Sequence, residues 1–248
     1  MMFKEISSPQ HPLVKYLVKV RSDRAYRKQT GSALITGSKL LTELKNIVSF
    51  KTILIENEFP FSDFPKNIPT YRLPLALLKK ITGLQHPEPV AAEVALPPFQ
   101  SLSKKNYLVA LDGISDPGNL GTLLRTAFAL NWEGAFILSH STDPFNDKAL
   151  RAAKGATFRL PLSTGSWDDL KELIKNNHMH AYLADIKGQP LEQTTFQTPV
   201  LLILGNEAHG ASQIAKELST PVSIPMNPLA ESLNVAAAGA ILMYQVRS

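Results

Sequence analysis

Residues 107–130 read YLVALDGISDPGNLGTLLRTAFAL and contain a strand, a loop and a helix in direct succession. The opening run is almost continuously apolar, which is typical of a strand that is buried on both faces of a parallel sheet. The loop combines glycines with polar residues, and from Asn119 onward the leucines recur at helical spacing. Because strand, loop and helix form the repeating unit of α/β folds, this stretch predicts a parallel sheet covered by helices.

The same alternation continues to the last helix of the chain. The predicted strands are 107–112, 134–139, 182–185, 200–204 and 222–225, with 159–162 as a further candidate. The predicted helices are 119–130, 147–155, 167–175, 211–218 and 233–245. Residues 107–248 are therefore predicted to form one α/β domain with a parallel sheet.

A smaller α/β domain is predicted to precede it, over residues 1–95. Its predicted strands are 33–36, 52–56 and 71–73, its helices are 12–27, 39–48 and 74–82, and an apolar run over 90–96 closes it. The first helix carries apolar residues on one face and many cations on the rest. Residues 96–106 include adjacent prolines and no periodic apolar face, so we interpret them as a linker.

Composition narrows the class of protein. The 26 Lys and Arg residues exceed the 21 Asp and Glu residues, and the net charge of +5 is compatible with polyanionic partners. The absence of cysteine excludes disulfides, thiolate zinc sites and cysteine nucleophiles. The N-terminus shows no secretory signal, and the longest apolar run, 235–244, is too short to cross a bilayer. We therefore expect a cytoplasmic protein without a membrane span.

Three loops follow predicted strands and lead into helices, at 112–121, 205–210 and 225–234. Ligands of parallel α/β sheets bind at this edge, where helix N-termini offer N–H groups. The chain contains no G-x-G-x-x-G, H-E-x-x-H or G-x-S-x-G motif. Residues 205–210 have the glycine spacing of a P-loop, but Ala211 stands where its lysine is required. The loops therefore predict a ligand site of another kind, without a metal.

Arg125 follows Asn119 by somewhat less than two helical turns, which places it near the ligand edge on a mostly apolar helix. An arginine there can act on a ligand. It can equally pack its stem while its head reaches solvent or pairs with an acid such as Asp116. From the helix alone, both interpretations stay open.

Three motifs carry a resemblance to a known family. They are DPGNLGTLLR at 116–125, LGNEAHG at 204–210, and IPM at 224–226 with SLN at 232–234. Together they resemble the SpoU (TrmH) family of RNA 2′-O-methyltransferases within the SPOUT superfamily, over residues 107–248. This resemblance implies a trefoil-knotted parallel sheet in the C-terminal domain. Residues 1–95 are similar to the family's ribosomal-protein-like RNA-binding domain.

The resemblance also implies S-adenosylmethionine as the methyl donor, bound in a bent shape by the knot loops. The residues implied in cofactor binding are Gly205, Ile224, Leu233, Met226, Ala208 and Gly210. Small residues make sense there because side chains would block a close approach of the backbone. For Ile224 and Leu233, core packing is an alternative that does not conflict with binding.

By the same resemblance, Arg125 is the catalytic cation. Arginine stays protonated, so we interpret it as an anchor for an RNA phosphate that also stabilises the developing alkoxide, while the phosphate or a water takes the proton. The residues implied to orient Arg125 and the ribose are Asn119, Glu207, Ser232 and Asn234. Glu207 can instead be a carboxylate favoured at a helix start, and Ser232 can be an N-cap.

The resemblance implies a homodimer, and the apolar last helix could supply its surface. Ribosomal RNA is the preferred substrate because members with such an N-terminal domain often act on it, and transfer RNA comes second. A base atom as acceptor stays open. So does a non-catalytic RNA-binding protein of the same fold, although the intact motif residues argue against that.

Overall fold

The computed structural model describes residues 4–60, 67–206 and 210–247. The chain divides into two compact units, one formed by Met1–Pro98 with Phe145–Phe158 and the other by Phe99–Pro144 with Arg159–Ser248. The sequence places the helix predicted at 147–155 in the C-terminal domain, and this is wrong, because residues 145–158 belong to the first unit. Phe145 and Leu150 are buried there in one apolar cluster with residues of the first sheet. Helical periodicity shows which face is buried, but it does not show in which core.

The first unit contains a mixed sheet of five strands in the order β1-β4-β3-β5-β2. Its strands are β1 (Lys4–Glu5), β2 (Ser32–Thr36), β3 (Phe50–Glu56), β4 (Thr70–Leu73) and β5 (Val90–Ala95). Its helices are α1 (Pro12–Ser22), α2 (Arg24–Thr30), α3 (Ser38–Leu44), α4 (Leu75–Thr82) and α6 (Asp147–Ala153). Strand β5 runs antiparallel to both β2 and β3 and carries the buried centre of the sheet.

The single helix predicted over 12–27 is two helices. Asp23 separates them, because its carboxylate accepts a hydrogen bond from the Tyr26 N–H at 3.0 Å and so begins α2. Arg27 is almost completely buried, and its Nη1 donates to the carbonyls of Val20 at 3.0 Å and Arg21 at 2.6 Å. Arg27 therefore caps the end of α1, and the exposed cations of this region lie elsewhere on the two helices.

The second unit confirms the predicted parallel sheet. Its six strands are all parallel and follow the order β11-β9-β10-β6-β7-β8. The strands are β6 (Tyr107–Leu111), β7 (Gly134–Leu138), β8 (Leu162–Gly165), β9 (His180–Pro190), β10 (Val200–Leu204) and β11 (Thr220–Ser223). The helices are α5 (Pro117–Ala129), α7 (Trp167–Asn176), α8 (Gln213–Leu218) and α9 (Val235–Arg247). Over the part of the chain that is described, no helix has the length and apolar character needed to span a membrane.

The pairing register sets the geometry of the ligand edge. Leu204 pairs with Leu111, and Ile203 pairs with Leu183, so β6, β9 and β10 reach the same edge together. Strand β11 pairs with β9 up to Leu183 and resumes at Gln189. The intervening residues of β9 therefore leave the ladder with β11 at the level where β10 ends, and a gap opens in the sheet edge.

Candidate active site

A cleft of about 620 Å³ lies at this edge of the second unit. It is lined by the middle of β9, the ends of β10 and β11, the residues before α8 and the first turns of α9, together with Asn119 of α5. Its volume falls in the range of sites that bind small molecules and cofactors. The cleft occupies the position that a parallel α/β sheet uses for ligands, beyond the carboxyl ends of its strands.

Most of the residues predicted for the site meet in this cleft. Those that line it are Asn119, Gly205, Gly210, Ile224, Met226, Ser232, Leu233 and Asn234. Glu207 and Ala208 lie outside the described residues, so their predicted roles stay predictions. Arg125 is exposed on α5, less than two turns beyond Asn119, and does not line the cleft. Its side chain is therefore accessible from outside the cleft.

The chain turns back sharply after β10. The N–H of Asn206 donates to the carbonyl of Gly210 at 3.1 Å, and the N–H of Gly210 donates back to Asn206 at 3.0 Å. A Cβ on Gly205 would lie 2.7 Å from the Cα of Ala211 and 2.8 Å from its nitrogen. Only glycine fits at position 205, because the backbone of the returning segment occupies the space of a side chain. The result is a wall of bare backbone along one side of the cleft.

Asn234 joins the two helices beside the cleft. Its Oδ1 accepts a hydrogen bond from the N–H of Ala236 at 2.9 Å, and its Nδ2 donates to Oδ1 of Asn119 at 3.1 Å. Asn234, rather than Ser232, therefore provides the side-chain cap of α9, because the helix begins later than predicted. The two asparagines, predicted to act together from motifs far apart in the chain, are in direct contact.

Two charged residues of the cleft were missed from the sequence. Asp185 lines it in the middle of β9, where its Oδ1 accepts a hydrogen bond from the Lys187 N–H at 2.9 Å. An acidic residue that directly follows a buried apolar run is a signal that could have identified it. Lys216 of α8 also lines the cleft, but a lysine on a short amphipathic helix carries no such signal in the sequence.

Metal chemistry finds no support among the residues that the structure describes. Over those residues, no group of three or more histidine, aspartate and glutamate side chains is arranged to hold a metal ion. The prediction of a metal-free site stays a prediction.

A parallel sheet with a cleft at its edge, lined by backbone and polar groups, is typical of α/β enzymes that bind a small-molecule cofactor. The chain matches the SpoU rRNA methylase family over residues 106–244, which is more than half of its length. This protein belongs to the SpoU rRNA methylase family, as the three motifs predicted.

Similarity to individual proteins extends over both units of the chain. The chain is 31% identical to the 23S rRNA (guanosine(2553)-2′-O)-methyltransferase of Bacillus subtilis, over 98% of this chain and 99% of that protein. It is also 31% identical to an uncharacterized tRNA/rRNA methyltransferase of Synechocystis, over 98% of this chain and 93% of that protein. A crystal structure of an AdoMet-bound rRNA methyltransferase from Sinorhizobium meliloti superposes with a TM-score of 0.87 at 25% identity, covering 99% of this chain and 97% of the other.

Proposed function

We propose that this protein transfers the methyl group of S-adenosylmethionine to the 2′-hydroxyl of a ribose in ribosomal RNA. One observation carries the proposal: Asn119, Gly205 and Asn234, which belong to three separate family motifs, meet in a single cleft of cofactor size. A relative that matches along both units is named a 23S rRNA 2′-O-methyltransferase, which favours ribosomal RNA over transfer RNA as the substrate.

The cleft fits the methyl donor by its size and by the chemistry of its walls. Bare backbone lies beside Gly205, and Ile224 and Leu233 add apolar surface. We assign to these three residues the main-chain contacts that hold the adenosine and methionine parts, with Met226 and Gly210 beside them. When bound, S-adenosylmethionine supplies an activated methyl group on a sulfonium ion.

Arg125 is the cation of the proposed mechanism. A guanidinium donates hydrogen bonds and offers no acceptor, so Arg125 serves as an anion partner rather than as a proton acceptor. A backbone phosphate of RNA that pairs with Arg125 holds the neighbouring ribose at the cleft, and the positive charge stabilises the alkoxide that forms as the hydroxyl loses its proton. The hydrogen-bonded pair of Asn119 and Asn234 orients the ribose, and the RNA phosphate or a water takes the proton.

The trefoil knot of the family is part of the proposal. Strand β10 lies between β6 and β9, and the segment after β11 returns along the cleft to α9, which packs against α5. A Cβ on Gly239 would lie 2.5 Å from Cδ2 of Leu123 and 2.8 Å from Cδ1 of Leu204. This close approach packs α9 against the end of β10. Such packing is expected if the C-terminal segment is threaded through the knot.

The reaction itself is tested with purified protein, radiolabelled S-adenosylmethionine and either unmodified ribosomal RNA or transfer RNA. We expect label to enter ribosomal RNA, and mass spectrometry of its nucleosides to show a 2′-O-methyl ribose. Incorporation of label into transfer RNA alone would show that transfer RNA is the substrate, and a methylated base would show that the ribose is not the acceptor.

Calorimetry with S-adenosylmethionine distinguishes a methyltransferase from the non-catalytic RNA-binding alternative. The non-catalytic alternative predicts no heat of binding.

We further propose that α5 and α9 form the surface of a homodimer. These two helices pack together, and Phe128, Ile241 and Tyr244 on them are between 39% and 64% exposed. Apolar side chains of this size on neighbouring helices are typical of a protein interface. Arg125 lies one turn before Phe128, so the same surface brings the guanidinium to the contact between two chains.

Charge placed on this surface should separate the subunits. In a variant with both Ile241→Glu and Tyr244→Glu, dimer formation would bury carboxylates without partners, so we expect sedimentation velocity to show monomers. The same change at another exposed apolar side chain, Leu75→Glu on α4, should leave the dimer intact. A dimer that persists in the double variant would place the interface elsewhere.

The exposed cations of α1 are proposed to contact RNA phosphates. Lys15 and Lys19 lie one turn apart and are both exposed, and the ammonium of Lys19 lies 4.3 Å from the centre of the Tyr26 ring. Their spacing suits two successive contacts along a polyanion. The RNA-binding role of residues 1–95 rests on this surface and on the family resemblance.

A matched pair of variants tests that role. Lys15→Gln with Lys19→Gln should lower the slope of log affinity against log salt concentration by about 1 to 2, as expected for two lost phosphate contacts. Lys171→Gln with Lys175→Gln removes two cations at the same spacing from α7 and should leave the slope unchanged. Equal slopes for the two double variants would remove α1 from the RNA-binding surface.

A further inference from the structure

A buried carboxylate lies directly behind the cleft. Asp112 follows β6 and is only 2% exposed, yet both of its oxygens face hydrogen-bond donors. Oδ1 lies 2.9 Å from Nε2 of His140, and Oδ2 accepts a hydrogen bond from the Ser212 N–H at 3.1 Å. A carboxylate only accepts hydrogen bonds, so we take Nε2 of His140 as the donor of this contact. A buried carboxylate is stable only while such donors stay in place.

These contacts reach both ends of the segment that forms the backbone wall of the cleft. At its far end, Ser212 is held by the carboxylate of Asp112. At its near end, the Nδ2 of Asn206 donates to the carbonyl of Gly113 at 2.7 Å. Two consecutive residues after β6 therefore fix both ends of the segment, and Asn206, Gly210 and Ala211 within it line the cleft.

The loop after β7 completes this arrangement. The N–H of Gly113 donates to Oγ of Ser141 at 3.0 Å, and that hydroxyl donates to the carbonyl of Leu111 at 2.9 Å. Gly113 has φ +73°, and a Cβ there would lie 3.1 Å from Cδ2 of His140. The imidazole is thus packed on the glycine and held at a fixed distance from Asp112, although half of its side chain is exposed.

We propose that Asp112 and His140 are positioning residues that hold residues 210–212 in the shape that accepts S-adenosylmethionine. This inference rests on the proposed function and adds two residues that lie outside the cleft. Without the Nε2 donor of His140, Oδ1 of the buried Asp112 side chain loses its hydrogen-bond partner. Because an unpaired buried carboxylate is unfavourable, the side chain then rotates toward solvent and releases the Ser212 N–H. The backbone beside the cleft becomes more mobile as a result.

Substitutions of His140 separate positioning from a general loss of structure. His140→Ala should raise both the dissociation constant and the KM for S-adenosylmethionine by about 10- to 100-fold, as expected for a lost hydrogen bond to a charged group. The kcat at saturating cofactor and the affinity for RNA should stay within twofold. His140→Gln should restore binding, because its Nε2 reaches as far as that of imidazole, whereas His140→Asn is one bond too short. His180→Ala, at an exposed histidine of β9, is the matched control.

The outcomes distinguish this inference from the proposed function. If the unmodified protein shows no binding of S-adenosylmethionine in calorimetry, the proposed function fails. If it binds and His140→Ala binds equally well, the positioning role alone is overturned. Parallel losses of cofactor affinity, RNA affinity and melting temperature, without rescue by glutamine, would also overturn it. If His140→Ala does not fold, the contrast between the glutamine and asparagine variants decides, with glutamine expected to bind at least tenfold more tightly.

Discussion

Arg125→Ala should lower kcat for RNA methylation by about a thousandfold while the dissociation constant for S-adenosylmethionine stays within a factor of two. The size of the loss follows from removing a charged group that stabilises a developing oxyanion. Loss of the phosphate anchor should raise the KM for RNA as well. Because Arg125 is exposed and does not line the cleft, its removal leaves the cofactor walls unchanged. Single-turnover kinetics and calorimetry measure the two effects separately.

Two further variants sharpen this experiment. Arg125→Lys keeps the charge but loses the forked geometry that pairs with a phosphate, so we expect an intermediate rate. Lys171→Ala removes an exposed cation from α7 of the same unit and should have no effect on either constant. A fully active Arg125→Ala protein would refute the catalytic role, and an equally weakened cofactor affinity would point to a structural one.

Gly205→Ala should weaken binding of S-adenosylmethionine by at least about a hundredfold. The added methyl group would lie 2.7 Å from Cα of Ala211, so the backbone of the returning segment must move. Backbone yields less easily than the end of a flexible side chain, and the wall of the cleft moves with it. Calorimetry measures the affinity, and RNA binding, which depends on exposed cations elsewhere, should be unaffected.

Gly31→Asn provides the matched control, at a glycine that does not line the cleft. Its φ of +57° is a conformation that asparagine tolerates, and no atom lies within 4 Å of the place that a Cβ would take there. We expect its affinity for S-adenosylmethionine to stay within about threefold of the unmodified protein. If Gly205→Ala binds as tightly as Gly31→Asn does, the backbone wall is not part of the cofactor site.

Elements whose signal is local were predictable from the sequence. The strand at 200–204 has the predicted bounds, since five apolar residues between turn signals leave little choice. The capping box of α7 is another local feature: Ser166 and Asp169 bond reciprocally, and the hydrogen bonds from Ser166 hold the pKa of Asp169 below its usual value. Such features depend on residues three or four apart, which a sequence displays directly.

Elements that depend on distant partners were less predictable. The strand predicted at 159–162 is displaced to Leu162–Gly165, because its bounds are set by pairing with β7. Strand β9 extends to Pro190 instead of ending at 185, because β11 pairs with its far end after a shift in register. Neither pairing can be recognised from the sequence pattern of the strand alone.

The residues of the site also fall into two groups, those with a local signal in the sequence and those without one. The three loops of the cleft were predictable from their motifs, and eight of the residues predicted for the site line it. Arg125 stands outside the cleft, and in the proposed function RNA or a second chain completes its surroundings. Asp112 and His140 carried no signal, since each residue type is common at loop starts and their pairing spans 28 positions.

The order of the cleft's segments along the chain has a consequence for protein synthesis. A nascent chain that has emerged as far as Ser223 contains every strand of the parallel sheet, yet it lacks Ile224, Leu233 and the helix whose cap contacts Asn119. Such an intermediate has one open side where the methyl donor should be enclosed. A polypeptide that ends at Ser223 is therefore expected not to bind S-adenosylmethionine, and the capacity to modify RNA arises only once α9 has been synthesised.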